Sequence, residues 1–141
     1  MTILVDTSVW SLALRRDADA TEPEVQALKN ALQDDEVIVT TGLVLQELLQ
    51  GFAGPKAQAQ IVERFAALPL IQPDREDHMA AAGLRNTCRR AGIQLGTIDA
   101  VLAQLCVRHE LTLLTTDKDF LAAAKHCPLR VWPAKARVRR P

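Results

Sequence analysis

Apolar residues fall along this chain in two kinds of stretch, and the two alternate. Short unbroken runs occur at Ile3-Leu4-Val5, Val37-Ile38-Val39, Leu70-Ile71, Thr112-Leu113-Leu114-Thr115 and Leu129-Arg130-Val131-Trp132. The first two, wholly apolar, read as buried strands of a parallel sheet; Leu70-Ile71 reads as an edge strand and the last two as further strands. Between them the apolar residues recur at helical spacing. Helices are predicted over Thr7–Leu14, through Val25, Leu28 and Leu32, through Leu43–Phe52, from Lys56 to Leu68, from Asp74 to about Ala91, from Ile98 to about His109, and from Asp119 through Ala124. Their starts carry capping residues: Thr7 or Ser8, the Thr21-Glu22-Pro23-Glu24 box, Thr40-Thr41, Asp74 and Thr97. Gly92 is the expected stop of the fifth helix. Strands separated by helices predict an α/β fold with a mostly parallel sheet flanked by helices.

With 141 residues and 48% hydrophobic content, the chain is long and apolar enough to form one folded domain. No apolar run approaches the length of a membrane span, and no leader-like segment opens the chain, so a cytoplasmic protein without membrane contact is expected. Cys88, Cys106 and Cys127 are odd in number and widely spaced, which fits reduced thiols rather than a disulfide framework or a zinc site. His78, His109 and His126 show no metal-ligand spacing and are expected at the surface.

Charge balances at 17 basic against 17 acidic residues, but not evenly along the chain. Lys135, Arg137, Arg139 and Arg140 lie in the last nine residues, which hold no acid; residues 1–132 keep 13 basic against 17 acidic residues. The expected division is therefore a folded body over 1–132 and a basic tail over 133–141. An acidic body meets nucleic acid poorly unless a cation and local basic residues intervene.

The acids themselves suggest where such a cation belongs. Asp6 ends the first strand, and Asp117 follows the strand at 112–115 with one residue between. Open α/β sheets place their ligand sites at the carboxyl ends of strands. Glu47 shares a helix face with Leu43, Val44 and Gly51, and Asp99 falls in the first turn of its helix. Each acid also has an ordinary structural reading: a cap, a rim residue, a first-turn acid or a turn residue. Asp119 has the same ordinary reading with more weight. Together, Asp6, Glu47, Asp99 and Asp117 can converge at one sheet edge. Two unit charges roughly 4 Å apart repel by about 4 kcal/mol at an effective dielectric near 20, so such a cluster needs shared protons or a cation. Oxygen-only donors select Mg²⁺ or Mn²⁺, which act on phosphate groups and activate water.

Four segments in order carry a resemblance: Ile3–Trp10, Val44–Gly51, Gly96–Ala103 and Leu113–Phe120. They are similar to the PIN-domain ribonucleases, and among these to the VapC-type toxins of bacterial toxin–antitoxin pairs. The resemblance covers residues 2–132. It implies Asp6, Glu47, Asp99 and Asp117 as the acidic, metal-binding catalytic site. It further implies Thr7 and Thr115 as hydroxyls near the metals, and Asp119 as an accessory acid. It also implies a sheet of about five strands, a homodimer, an RNA substrate such as tRNA or rRNA, and a cognate antitoxin that masks the site. Arg85, Arg89 and Arg90 share one polar helical stretch and read either as phosphate grips or as a solvated face. Two alternatives stay open: an RNA-processing nuclease of the same fold without an antitoxin, and a phospho-accepting receiver domain, for which Asp74 would have to be an acceptor rather than a cap.

Overall fold

The computed structural model describes residues 1–15 and 22–133. The expected connection over Arg15–Ala20, beyond Arg15 itself, the Thr21 cap and the basic tail from 134 onward lie outside the described residues.

The chain runs β1 (Thr2–Val5), α1 (Thr7–Leu14), α2 (Pro23–Gln33), β2 (Val37–Thr41), α3 (Gly42–Gly51), α4 (Pro55–Ala66), β3 (Leu70–Ile71), α5 (Arg75–Arg90), α6 (Thr97–Arg108), β4 (Thr112–Leu114), α7 (Lys118–Ala123) and β5 (Arg130–Val131). Every strand pairing is parallel, in the order β3-β2-β1-β4-β5. The predicted five-strand sheet flanked by helices is the observed one, with Leu70-Ile71 at its edge. The apolar strand runs are buried because helices cover the sheet: Leu4, Val5, Leu113 and Leu114 are fully enclosed. Trp10 of α1 packs on Phe65 of α4, ring centroids 4.9 Å apart.

The chain builds β1, β2 and β3 outward in one direction, then crosses to β4 and β5 on the other side of β1. The reversal between β1 and β4 opens a crevice at the carboxyl ends of those two strands, the place where open α/β sheets bind ligands. The register Val5↔Leu114 brings both strands to the same height, and the Asp6 backbone N–H continues the ladder by donating to the Leu114 carbonyl at 2.9 Å.

Helix ends explain most departures from the sequence reading. The first helix is capped by Asp6, not by Thr7 or Ser8: helical geometry begins at Thr7, and Asp6 Oδ1 accepts from the Thr7 N–H at 2.8 Å. The residue before α6 is Gly96, with no side-chain cap, because Thr97 itself takes helical backbone. Asp117 caps α7, two residues earlier than expected, with Asp119 N–H donating to its Oδ1 at 2.9 Å. Glu22 stands at the N-cap of α2 without a side-chain bond, Pro23 following. Ala31 takes the buried position on that helix, while Leu32 is 40% exposed. The fourth helix spans Pro55–Ala66 rather than Lys56–Leu68.

Other ends match. Thr41 Oγ1 accepts from the N–H groups of Leu43 and Val44. Asp74 and Asp77 form a reciprocal capping box on α5. Gly92, at φ +81°, closes α5: Gly92 N–H donates to Arg89 O at 3.0 Å and Ile93 N–H to Cys88 O at 2.9 Å. Cys88, Cys106 and Cys127 are free thiols, the first two buried. The three histidines are exposed. Among the described residues, no helix is long and apolar enough to cross a membrane.

Candidate active site

The crevice between β1 and β4 is lined by hydroxyls that fix the carboxylates. Asp6 is buried, and its two oxygens accept three hydrogen bonds. Besides the Thr7 N–H, Oδ2 accepts from Thr115 Oγ1 at 2.8 Å and from Ser8 Oγ at 2.9 Å. Thr115 Oγ1 in turn accepts from the Asp117 N–H at 3.0 Å, and Ser8 Oγ accepts from the Thr116 N–H at 3.1 Å. The ends of β1 and β4 are thus tied through Asp6, and the turn that carries Asp117 is held from below. From α3, Glu47 Oε1 accepts from Thr7 Oγ1 at 3.1 Å.

Asp99 reports what these groups do to one another. It lies half-buried in the first turn of α6, and its carboxyl is pushed up to about 6. Burial is the largest cause, followed by the negative charges of Asp6, Asp117, Glu47 and Asp119. The charges of Asp6, Glu47 and Asp117, the other acids expected to converge, all reach Asp99, as does that of the exposed Asp119. Asp6 also keeps its ordinary structural role, because the carboxylate that caps α1 is the one that meets the other acids.

Among the described residues, no three His, Cys, Asp or Glu side chains stand close enough to hold one ion as placed. The acids are near enough to feel each other's charge but not drawn into a shell. A hard cation that keeps most of its water needs only one or two direct carboxylates. The excess negative charge felt by Asp99, and donors that are all oxygen, fit such an ion. Asp6, Glu47, Asp99 and Asp117 are the candidates for those one or two carboxylates.

Sequence reasoning missed Ser8 as a site residue and treated it only as a cap; the signal was a hydroxyl two residues past a strand-ending acid. It also missed Asp77. This carboxylate is 1% exposed between α5 and α6, contacts Arg108, and lies 3.5 Å from Gln104 Nε2; Arg108 also reaches Asp74 at 3.1 Å. Burial pushes the Asp77 carboxyl up, but the Asp74 backbone N–H, Arg108 and Gln104 outweigh it and hold the group below the ordinary carboxylate range. Arg85, Arg89 and Arg90 of α5 are not one group. Arg85 and Arg89 line a single cavity of about 250 Å³ with Ile93, Gln94 and Leu95, whereas Arg90 turns to Thr87.

A profile of the PIN domain matches residues 3–126, which include every acid of the crevice. The chain belongs to the PIN-domain family. A VapC ribonuclease of Mycobacterium bovis is 29% identical over 125 residues, covering 87% of this chain and 92% of that protein. Two solved structures share the PIN fold. The Mycobacterium tuberculosis toxin VapC20, described as cleaving the sarcin–ricin loop, superposes with a TM-score of 0.65 at 19% identity, covering 91% of this chain and 98% of that one. VapBC-5 of the same organism, a member of the VapBC family of toxin–antitoxin systems, superposes with a TM-score of 0.62 at 20% identity, covering 92% and 96%. PIN membership removes the receiver-domain alternative, and Asp74 stands as the cap of α5 rather than as an acceptor at a strand end.

Proposed function

We propose that this PIN-domain protein is an endoribonuclease, the toxin of a toxin–antitoxin pair, and that it works with Mg²⁺ or Mn²⁺ bound among Asp6, Asp99 and Asp117, one or two of them in direct contact and the rest through the ion's water. The observation that carries the reading is the crowding of four carboxylates around Asp99 at the sheet's switch point. A relative named VapC ribonuclease, alike over nearly its whole length, supports the substrate class. When bound, a divalent ion there supplies an acidified water and neutralises charge building on the scissile phosphate.

The chain's own groups prepare the crevice for that chemistry. Ser8 and Thr115 aim the Asp6 carboxylate, and the backbone around Asp117 is fixed through Thr115. Thr7 steadies Glu47, which faces the crevice from α3, where it orients the attacking water or shares in holding a second ion. Asp119 adds charge at the rim. Arg85 and Arg89 offer guanidinium groups to phosphates along the RNA, and the basic tail adds affinity without choosing the cut. The protein works in the cytoplasm as a homodimer, and a cognate antitoxin covers the crevice.

The test is sequencing of RNA ends after expression of the protein without its antitoxin. Discrete new ends in one tRNA or rRNA species are expected. No new ends would contradict the toxin reading. An adjacent small gene whose product suppresses the ends separates a toxin from a maturation nuclease of the same fold.

A further inference from the structure

A cavity of about 500 Å³ opens at the N-terminal ends of α3 and α6, against the segment that follows β3. Its walls include Leu43, Gln72, His78, Thr97, Ile98 and Val101. It is mostly apolar, with an imidazole, an amide and a hydroxyl along it. That volume lies within the roughly 300–1,000 Å³ usual for small-ligand sites. Thr97 and Ile98 immediately precede Asp99, and Leu43 lies one helical turn before Glu47. The cavity and the acids Glu47 and Asp99 are thus built on the N-terminal halves of the same two helices.

We propose that this cavity seats one unstacked nucleobase of the RNA substrate, the base adjoining the bond that is cut. The inference rests on the nuclease reading above and adds the residues that choose the sequence. Sequence-specific RNA recognition works on bases splayed out of the strand, stacked on flat side chains and hydrogen-bonded along their edges. His78 provides the flat face, Leu43 and Ile98 the apolar walls, and Gln72 both a donor and an acceptor for a base edge.

The surroundings favour a polyanion over a protein side chain as the occupant. The cavity shares His78, Thr97 and Val101 with a neighbour of about 240 Å³, which shares Arg85 with the cavity that also holds Arg89. A furrow thus runs along α5 and α6 from the base seat to two guanidinium groups. Arg85 is held in place through Nε, which donates to the Leu95 carbonyl at 2.9 Å, and its side chain lines both of the smaller cavities. On this reading the scissile phosphate lies toward the acids and a later phosphate at Arg85 and Arg89.

The experiment is digestion of a randomised single-stranded RNA pool by the full-length protein with Mn²⁺, followed by sequencing of the product ends. The wild type is expected to show a base preference at one position beside the cut. His78→Ala and Gln72→Ala should flatten that preference and lower kcat/KM roughly tenfold, the scale of losing one base–side-chain stack. His78→Phe should restore kcat/KM by restoring the flat face. The Mn²⁺-induced rise in Tm should be the same in all variants, because none of these residues belongs to the acid cluster. A wild type that cuts while His78→Ala and Gln72→Ala keep its preference and kcat/KM would overturn the base seat and leave the nuclease reading standing. The same unchanged preference with a loss of dimer in sedimentation would assign the cavity to a second copy of the chain, which also overturns it. A wild type that cuts no RNA with any divalent ion would overturn both.

Discussion

Thr115 donates its hydroxyl hydrogen to Asp6 Oδ2 at 2.8 Å and accepts from the Asp117 N–H at 3.0 Å. One buried side chain thus sets the spacing between the acid that ends β1 and the acid that follows β4.

Thr115→Val keeps the shape and removes both bonds. It leaves the Asp117 N–H without its acceptor, a loss on the order of 1–3 kcal/mol in stability if that group stays dry. Cleavage should fall roughly tenfold or more, because the positioned groups shift. Thr115→Ser keeps the hydroxyl and should retain most activity. Melts and kcat/KM on the three proteins check both effects; equal activity in the valine variant would remove Thr115 from any positioning role.

Asp99 makes metal-free stability depend on pH in an unusual direction. Its folded value, about 6, lies above the ordinary 3.8. Above about 6 the folded protein carries a charge that the unfolded chain bears more easily. As pH falls from there toward 3.8, the folded state takes up a proton that the unfolded state does not, so this group's contribution to stability rises, and below that range it is constant. In chelator, wild type should therefore gain on Asp99→Asn as pH falls through this window. The stabilisation by Mg²⁺ or Mn²⁺ should be greatest above about 6 and shrink below it, because proton and cation compete for one group. Melts across pH 4–8 with chelator and with metal read both trends; a parallel course for the two proteins in chelator would contradict the crowding of Asp99.

The fold was legible because its central strands carry short apolar runs separated by helical spacing, and a doubly covered parallel sheet demands that pattern. Helix starts were less legible. Whether Asp6 or Thr7 caps α1 turns on one residue's backbone geometry, and Asp, Thr and Ser are all good caps. The acids were legible only as a set, because each one's local role as cap or first-turn residue is also real. The spacing Asp74-x-x-Asp77 fits a capping box, but the burial of Asp77 gave no signal: its partner Arg108 is 31 residues away. The cavity at Gln72 and His78 was hidden for the same reason, being assembled from four separate elements of sequence.

Asp77 supports the α5–α6 pair rather than the chemistry. Asp77→Ala should cost on the order of 1–3 kcal/mol, since it strips a buried partner from Arg108 and undoes the capping box. The carboxyl is held below its ordinary value, so its contribution is present above about 4 and is lost as pH falls through the lower folded value. The gap in Tm between wild type and Asp77→Ala should be widest near neutrality and close in acid, with the response to metal unchanged. A variant whose Tm equals that of wild type at pH 7 would contradict this.

The basic residues Lys135, Arg137, Arg139 and Arg140 should add affinity for RNA through phosphate contacts. A protein ending at Trp132 is expected to bind more weakly, with a shallower slope of log affinity against log salt, and to cut at the same positions. Equal slopes for the two proteins would leave the tail without a role in RNA binding.

The most direct measurement is the change in thermal midpoint on adding Mn²⁺ to chelator-treated wild type and Asp6→Asn. Asparagine caps a helix about as well as aspartate does and keeps its shape; it removes one charge from the crevice and sets an amide group toward Ser8 and Thr115, whose hydroxyls turn from donating to Oδ2 to accepting from that amide. In chelator the variant should be at least as stable as wild type, because repulsion among the acids is relieved. Added Mn²⁺ should raise the midpoint of wild type, since an ion that binds only the folded state stabilises it, and should raise that of Asp6→Asn far less. An equal rise in both proteins, with Asp6→Asn less stable in chelator, would leave Asp6 as the cap of α1 and no metal site at the end of β1.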